Sequence, residues 1–182
     1  MPEEINRLKS EIVGIYGKEP QINNLFLFEQ ISPKRLSNAK SGYARNLTGD
    51  ETIILLYDDT LFGSAKNGFL LTTKRIYYKN MGESPSLVDI TSIRNKEVVA
   101  STLSTQMLIH LSTDGKAAID ITYIEAKQRE PLLRMLGNII DLLRNSGANL
   151  SSDIDTKMSI NCGGCGAASQ SAVCEYCGNR MR

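Results

Sequence analysis

Every cysteine of this 182-residue chain, Cys162, Cys165, Cys174 and Cys177, falls in its last two dozen residues. They form two Cys-x-x-Cys-Gly units, 162–166 and 174–178, with eight residues between the inner cysteines. A two-residue gap lets both sulfurs of a tight turn reach one ion. The glycine that follows gives the backbone freedom to aim its amides at the thiolates. Four thiolates match the tetrahedral demand of Zn2+, with Zn–S distances of about 2.3 Å. Iron takes the same donor set, so spacing alone leaves zinc, the expected metal, beside iron. With protein sulfur at all four positions no place remains for a reactive water, and the predicted zinc is structural. A redox dithiol would need only one Cys-x-x-Cys, between a strand and a helix. Ala167, Ala168, Ala172, Val173 and Tyr176 are too small a core to hold this segment folded. Metal binding, about 10–16 kcal/mol in comparable peptides, has to do so.

A second group is Asp58-Asp59-Thr60-Leu61-Phe62-Gly63-Ser64-Ala65-Lys66. As a structured turn, Asp59 and Thr60 would satisfy backbone amides while Phe62 tucks into the core. As a binding loop, Asp58, Asp59, Thr60, Phe62 and Lys66 would present an acidic surface to a basic partner. Lys74, Arg75 and Lys79 with Tyr77 and Tyr78 suggest stacking and phosphate contacts. The alternation of Arg75, Tyr77 and Lys79 fits a solvated strand face better. His110, the only histidine, has no serine or cysteine context that would make it a base. There is no G-x-S-x-G, no glycine-rich phosphate loop ending in Lys-Ser/Thr and no H-E-x-x-H. The expectation is a protein that is not an enzyme.

Composition agrees with a binding module. The 21 basic and 20 acidic residues leave a net charge of +1, without the basic excess by which nucleic-acid binders neutralise phosphate. The N-terminus carries Glu3, Glu4, Arg7, Lys9 and Glu11 where a secretory signal needs an apolar run. No window approaches the roughly 18 apolar residues of a membrane span. A cytoplasmic location with reduced cysteines is therefore expected.

The elements that must position these groups are legible as two periodicities. Ile5, Leu8, Ile12 and Ile15 recur at helical spacing over 2–16. A second short helix is expected around Ile22, Leu25, Phe26 and Phe28, and a third behind the Ser32-Pro33 cap. Residues 1–48 thus read as a helical N-terminal segment. From 51 to 123 the apolar residues alternate, predicting strands at 52–57, 68–73, 75–79, 86–90, 96–100, 106–111 and 116–123. Asp114-Gly115 marks a hairpin turn. A helix with Pro131 in its first turn carries Leu132, Met135, Leu136, Ile139, Ile140 and Leu143. It ends at Asn145-Ser146-Gly147. Residues 147–158 read as a linker and 159–182 as the cysteine-bearing unit. The fold class is α+β.

Seven short antiparallel strands closed by one helix, over 49–146, resemble a pleckstrin-homology-like domain. The stretch GFLLTTKRIYYKN (68–80) is similar to the strand pair of bacterial GRAM-like members, with Thr72, Thr73, Arg75, Tyr77 and Tyr78 at the matching positions, and LVDITSI (87–93) resembles the strand that follows. The resemblance implies an antiparallel barrel with a helix capping one end. The cysteine units resemble the short zinc ribbon appended to many bacterial proteins. The lipid-binding members of the family carry several Lys and Arg in the loop that corresponds to 58–66, where this chain has two aspartates and only Lys66. The implied function is an adaptor whose barrel and ribbon bind another protein. A peripheral module for anionic lipid comes second, and a nucleic-acid accessory protein third.

Overall fold

The computed structural model describes residues 2–100 and 105–155, and the strand residues 160–161 and 168–169. Its elements run α1 (Pro2–Tyr16), β1 (Leu25–Leu27), α2 (Pro33–Gly42), β2 (Ile53–Asp58), β3 (Gly68–Thr72), β4 (Arg75–Lys79), β5 (Ser86–Asp89), β6 (Ile93–Ala100), β7 (Thr105–Leu111), β8 (Lys116–Asp120), α3 (Ala126–Asp155), β9 (Ile160–Asn161) and β10 (Ala168–Ser169). The chain divides into two compact units at Arg144.

In the first unit β1 to β5 form an antiparallel sheet in chain order, and β6 to β8 form a second. The class is α+β with two antiparallel sheets. Among the described residues they are not joined into one closed ring of hydrogen bonds. Asp114, at φ 58°, makes the left-handed turn expected between β7 and β8. Strand β8 stops at Asp120, short of the predicted Tyr123, because the chain turns there to enter α3. Tyr123 is 39% exposed while Ile119 and Ile121 are fully buried.

The N-terminal stretch departs from an all-helical reading. The predicted second helix is instead strand β1, followed by a single 3-10 turn, Phe28–Gln30. Strand β1 pairs with β2, Phe26 opposite Leu56. The run Leu25-Phe26-Leu27 is apolar on successive residues because both faces of this sheet are covered. Alternating side chains go to two cores. Leu25, Leu27, Leu55, Tyr57, Phe69, Leu71 and Ile76 join the main core with Ile12 of α1, Met107 and Ile119 of the second sheet, and Leu136 and Ile139 of α3. Leu56, Leu70 and Tyr77 meet Ala39, Tyr43 and Ala44 in a second core beneath α2. The expected Ser32 cap is present, its hydroxyl accepting from the Arg35 amide, with Pro33 at the first helical position.

The second layer also corrects the face carrying Arg75, Tyr77 and Lys79. It is not a solvated face, since Tyr77 is 1% exposed. Helix α3 begins at Ala126, ahead of Pro131, and runs on to Asp155 through part of the stretch read as linker. That stretch contains no proline. Gly147 costs a helix only about 1 kcal/mol relative to alanine, which does not terminate it. No helix of the described residues is long and apolar enough to cross a membrane.

Candidate functional site

The loop between β2 and β3 is clamped from two sides. Asp58, fully buried, accepts from the Thr60 amide at 3.1 Å and the Thr60 hydroxyl at 2.5 Å through Oδ1. Its Oδ2 faces Arg35 Nε of α2 at 3.4 Å. Thr60 Oγ1 in turn accepts from the Ser64 amide, and Asn38 of α2 donates to the Ser64 carbonyl at 2.7 Å. On the other side Asp59 Oδ1 accepts from the Tyr57 hydroxyl at 2.9 Å and the Tyr123 amide at 3.3 Å. Gly68 closes the loop at φ 120°, where a Cβ would lie 2.1 Å from the Tyr57 carbonyl oxygen, so no other residue fits.

This geometry reverses the surface read from the sequence. Both aspartates point inward, at 0% and 9% exposure, whereas Leu61 and Phe62 stand 69% and 91% exposed. Phe62 does not tuck into the core, because the carboxylates occupy the interior of the turn. Among the candidate residues Asp58, Asp59 and Thr60 are the clamp, while Phe62 and Lys66 are presented outward. The loop between β4 and β5 leaves the same end of the sheet, since Gly68 pairs with Lys79. It adds Met81, 79% exposed. Leu61 escaped the sequence reading, although two adjacent apolar residues inside a turn are themselves a signal.

Burial pushes the Asp59 carboxyl above its ordinary value of 3.8, outweighing the hydrogen bonds from Tyr57 and Tyr123. Burial, and then the neighbouring Asp59 charge, push the Tyr57 hydroxyl far above its own, so it remains a donor. A carboxyl raised by folding favours the native state fully below pH 3.8 and loses that contribution as pH rises through its folded pKa. Asp59→Asn keeps an oxygen for both donors and removes the titration. The variant is expected to gain on the parent by about 1 kcal/mol per pH unit across that window. Urea unfolding of both proteins from pH 4 to 7 checks this; parallel stability curves would refute it.

Two cations of the basic cluster, Lys74 and Arg75 at the start of β4, are paired with carboxylates. Arg75 bonds Glu51 at 2.9 Å and Asp89 at 2.9 Å, and Lys74 pairs with Asp50. His110 lies opposite the buried Met107 and Ile109, as alternation predicts, with Nε2 2.9 Å from Glu97. The surface depression beside it, about 350 Å³, is lined by Arg94, Asn95, Leu111, Asp114, Gly115 and Lys116, without serine or cysteine.

Glu51 is the residue the sequence reading missed. Its side chain is fully buried and accepts from Thr48, Thr72, Tyr77 and Arg75. The signal was the Thr48-x-x-Glu51 spacing, a capping-box pattern used here to close a turn.

The four cysteines lie outside the described residues. In the second unit β9 and β10 pair antiparallel, Asn161 opposite Ala168 and Ile160 opposite Ser169. Their connection, 162–167, carries Cys162 and Cys165, so the Asn161–Ala168 pair closes the chain on either side of the first Cys-x-x-Cys unit. Among the described residues no cluster of His, Cys, Asp or Glu could hold a metal. Compared with known proteins, the chain matches no protein-family model and no curated protein.

Proposed function

We propose that this is a non-enzymatic adaptor: a pleckstrin-homology-like domain that docks the Leu61–Phe62 tip into an apolar pocket of a partner protein, joined to a zinc-held ribbon. The observation that carries the reading is the exposure of two adjacent large apolar side chains on a loop whose base is fixed by buried hydrogen bonds. A tip held rigid before binding gives up little conformational entropy on docking. Aromatic anchors of this kind supply most of an interface's energy. Two antiparallel sheets, β2 to β5 and β6 to β8, followed by one helix along the core support the pleckstrin-homology-like assignment, with β1 as an addition at the edge.

The residues fit a zinc ion. A short antiparallel pair closed immediately around the first Cys-x-x-Cys is the backbone such a knuckle needs, and four thiolates complete its coordination. Cys162, Cys165, Cys174 and Cys177 would hold the ion, whose role is to fold the segment. A second modest surface on the same chain raises avidity through effective concentration.

Burial of Asp58 and Asp59 weakens the charge argument against anionic lipid, which keeps the membrane reading second. Neutralisation of Lys74 and Arg75 by carboxylates supports placing nucleic acid last. The test is the double variant Leu61→Ser/Phe62→Ser, whose exposed positions leave the core untouched. Loss of an anchor of this type costs about 2 kcal/mol or more, roughly thirtyfold in affinity. Partner capture should fall by that factor with unchanged thermal unfolding. Capture that survives the double substitution would refute the reading. Phe62-dependent sedimentation with liposomes of anionic lipid would replace it with the membrane one.

A further inference from the structure

The near-neutral balance of 21 basic and 20 acidic residues conceals a local imbalance beside the Leu61–Phe62 tip. Across α2 and the turn behind it, residues 33–49 include Lys34, Arg35, Lys40 and Arg45 but no carboxylate. Residues 60–66 add Lys66, again without an acidic residue. Helix α2 lies along this loop, as three contacts establish. Arg35 Nη2 is 3.0 Å from the place a Gly63 Cβ would take, and the Lys66 carbonyl oxygen 3.9 Å from that of Gly42. Between them Asn38 donates to the Ser64 carbonyl at 2.7 Å. Positions 35, 38 and 42 share one helical face, which brings Lys34, the neighbour of Arg35, to the flank of the loop.

Among the cations of these two segments only Arg35 is matched by a carboxylate, the buried Asp58. Lys34 and Lys66 are exposed, and neither has an ion pair or hydrogen bond among the described residues. Lys79, half-buried and equally unpaired, is the register partner of Gly68 at this end of the sheet. Alternation places it on the face that Tyr77 turns toward α2. The imbalance is one-sided. The loop between β4 and β5 carries no cation, and its Glu83 is exposed, accepting from Asn80 at 3.0 Å.

We propose that the partner's apolar pocket bears acidic residues along one side of its rim, which meet Lys34, Lys66 and Lys79 while Leu61 and Phe62 fill the pocket. The inference rests on the docking role of the tip and adds the chemistry of what receives it. Opposite charges beside an apolar anchor fix its orientation and speed encounter more than they add affinity. A one-sided rim belongs to a shaped protein pocket. An anionic bilayer presents the same charge on every side of an inserted tip, and would meet Glu83 with repulsion. Helix α2 also precedes the seven-strand unit, so this rim is an addition made by the N-terminal segment.

Cyclodextrins offer an apolar cavity whose rim charge can be chosen, and they test the inference on the full chain. Neutral β-cyclodextrin, its anionic carboxymethylated form and its cationic aminated form are titrated while amide and aromatic-ring shifts are followed. The neutral and anionic forms should both move the Phe62 signals. The anionic form is expected to bind about tenfold more tightly than the neutral one, because each exposed ion pair adds modestly. The cationic form should bind more weakly than either, and the anionic preference should shrink as salt is raised. Lys34→Glu/Lys66→Glu should abolish that preference and leave neutral binding unchanged, whereas Phe62→Ser should abolish binding of all three. Equal binding of the neutral and anionic forms would overturn the acidic rim and leave the docking tip standing. Absence of Phe62 shifts with both forms would overturn the two together. Sedimentation with vesicles of anionic phospholipid that requires Phe62, Lys34 and Lys66 would also overturn the proposal, by assigning the rim to lipid.

Discussion

Stripping the metal from the full chain is expected to unfold the cysteine-bearing segment and leave the two sheets of the first unit intact. Besides cysteine, residues 159–182 hold seven apolar residues, three of them alanine, so the proposed ion would have to supply the stability, about 10–16 kcal/mol by comparison with peptides of similar donor set. One metal per chain should be found by elemental analysis, with zinc expected over iron. After chelation four thiols should become reactive, and the sheet signal of the first unit should persist to its original melting temperature. Cys162→Ser and Cys177→Ser should each lower metal affinity by orders of magnitude, because loss of either removes one of four ligands. Full metal content in either variant would overturn the ligand assignment. Acid should release the ion as thiolates protonate.

Replacing Glu51 should cost the first unit about 3 kcal/mol, the lower end of what breaking a buried ion pair costs. The lower end applies because the partners retain other bonds: Arg75 keeps Asp89, Thr72 keeps the Arg75 carbonyl and Tyr77 keeps the Asn46 carbonyl. Burial raises the Glu51 carboxyl, but hydrogen bonds from Thr72, Tyr77 and Thr48 outweigh it and hold the group below its ordinary 4.5. A carboxyl lowered by folding contributes stability that is complete above pH 4.5 and is lost as pH falls through the folded value. Glu51→Ala should therefore lower the urea midpoint at pH 7 and flatten the loss of stability below pH 4.5. Glu51→Gln, which keeps the acceptor oxygen and the volume, should fall between. A midpoint at pH 7 unchanged within error would show that the network is dispensable.

Two surfaces differ in how they arise. The Leu61–Phe62 tip is apolar on a polar, buried base. Strand β6 is mixed, with Arg94, Asn95, Lys96 and Glu97 ahead of Val98 and Val99, and its Lys96 lies over Gly137 of α3. Both lie in the first unit, ahead of the segment that carries the four cysteines.

Much of this was legible in order of residues alone. The strand positions followed because side chains alternate at period two wherever one face meets a core, as Ala117, Ile119 and Ile121 show. Helix α1 and the Ser32-Pro33 start of α2 followed from spacing and local capping chemistry, and the four-cysteine pattern is local in the same sense. What the sequence could not determine was which faces are covered. Leu25-Phe26-Leu27 reads as part of a short helix until a second layer gives each face of a strand its own core. Tyr77 and Arg75 look solvated until α2 buries the tyrosine and the Glu51 carboxylate pairs with the half-buried arginine. Asp58 and Asp59 look like an acidic surface until Arg35, Thr60 and Tyr57 turn them inward and leave Leu61 and Phe62 outside. Burial depends on contacts between segments far apart in the chain, and only the tertiary structure decides those.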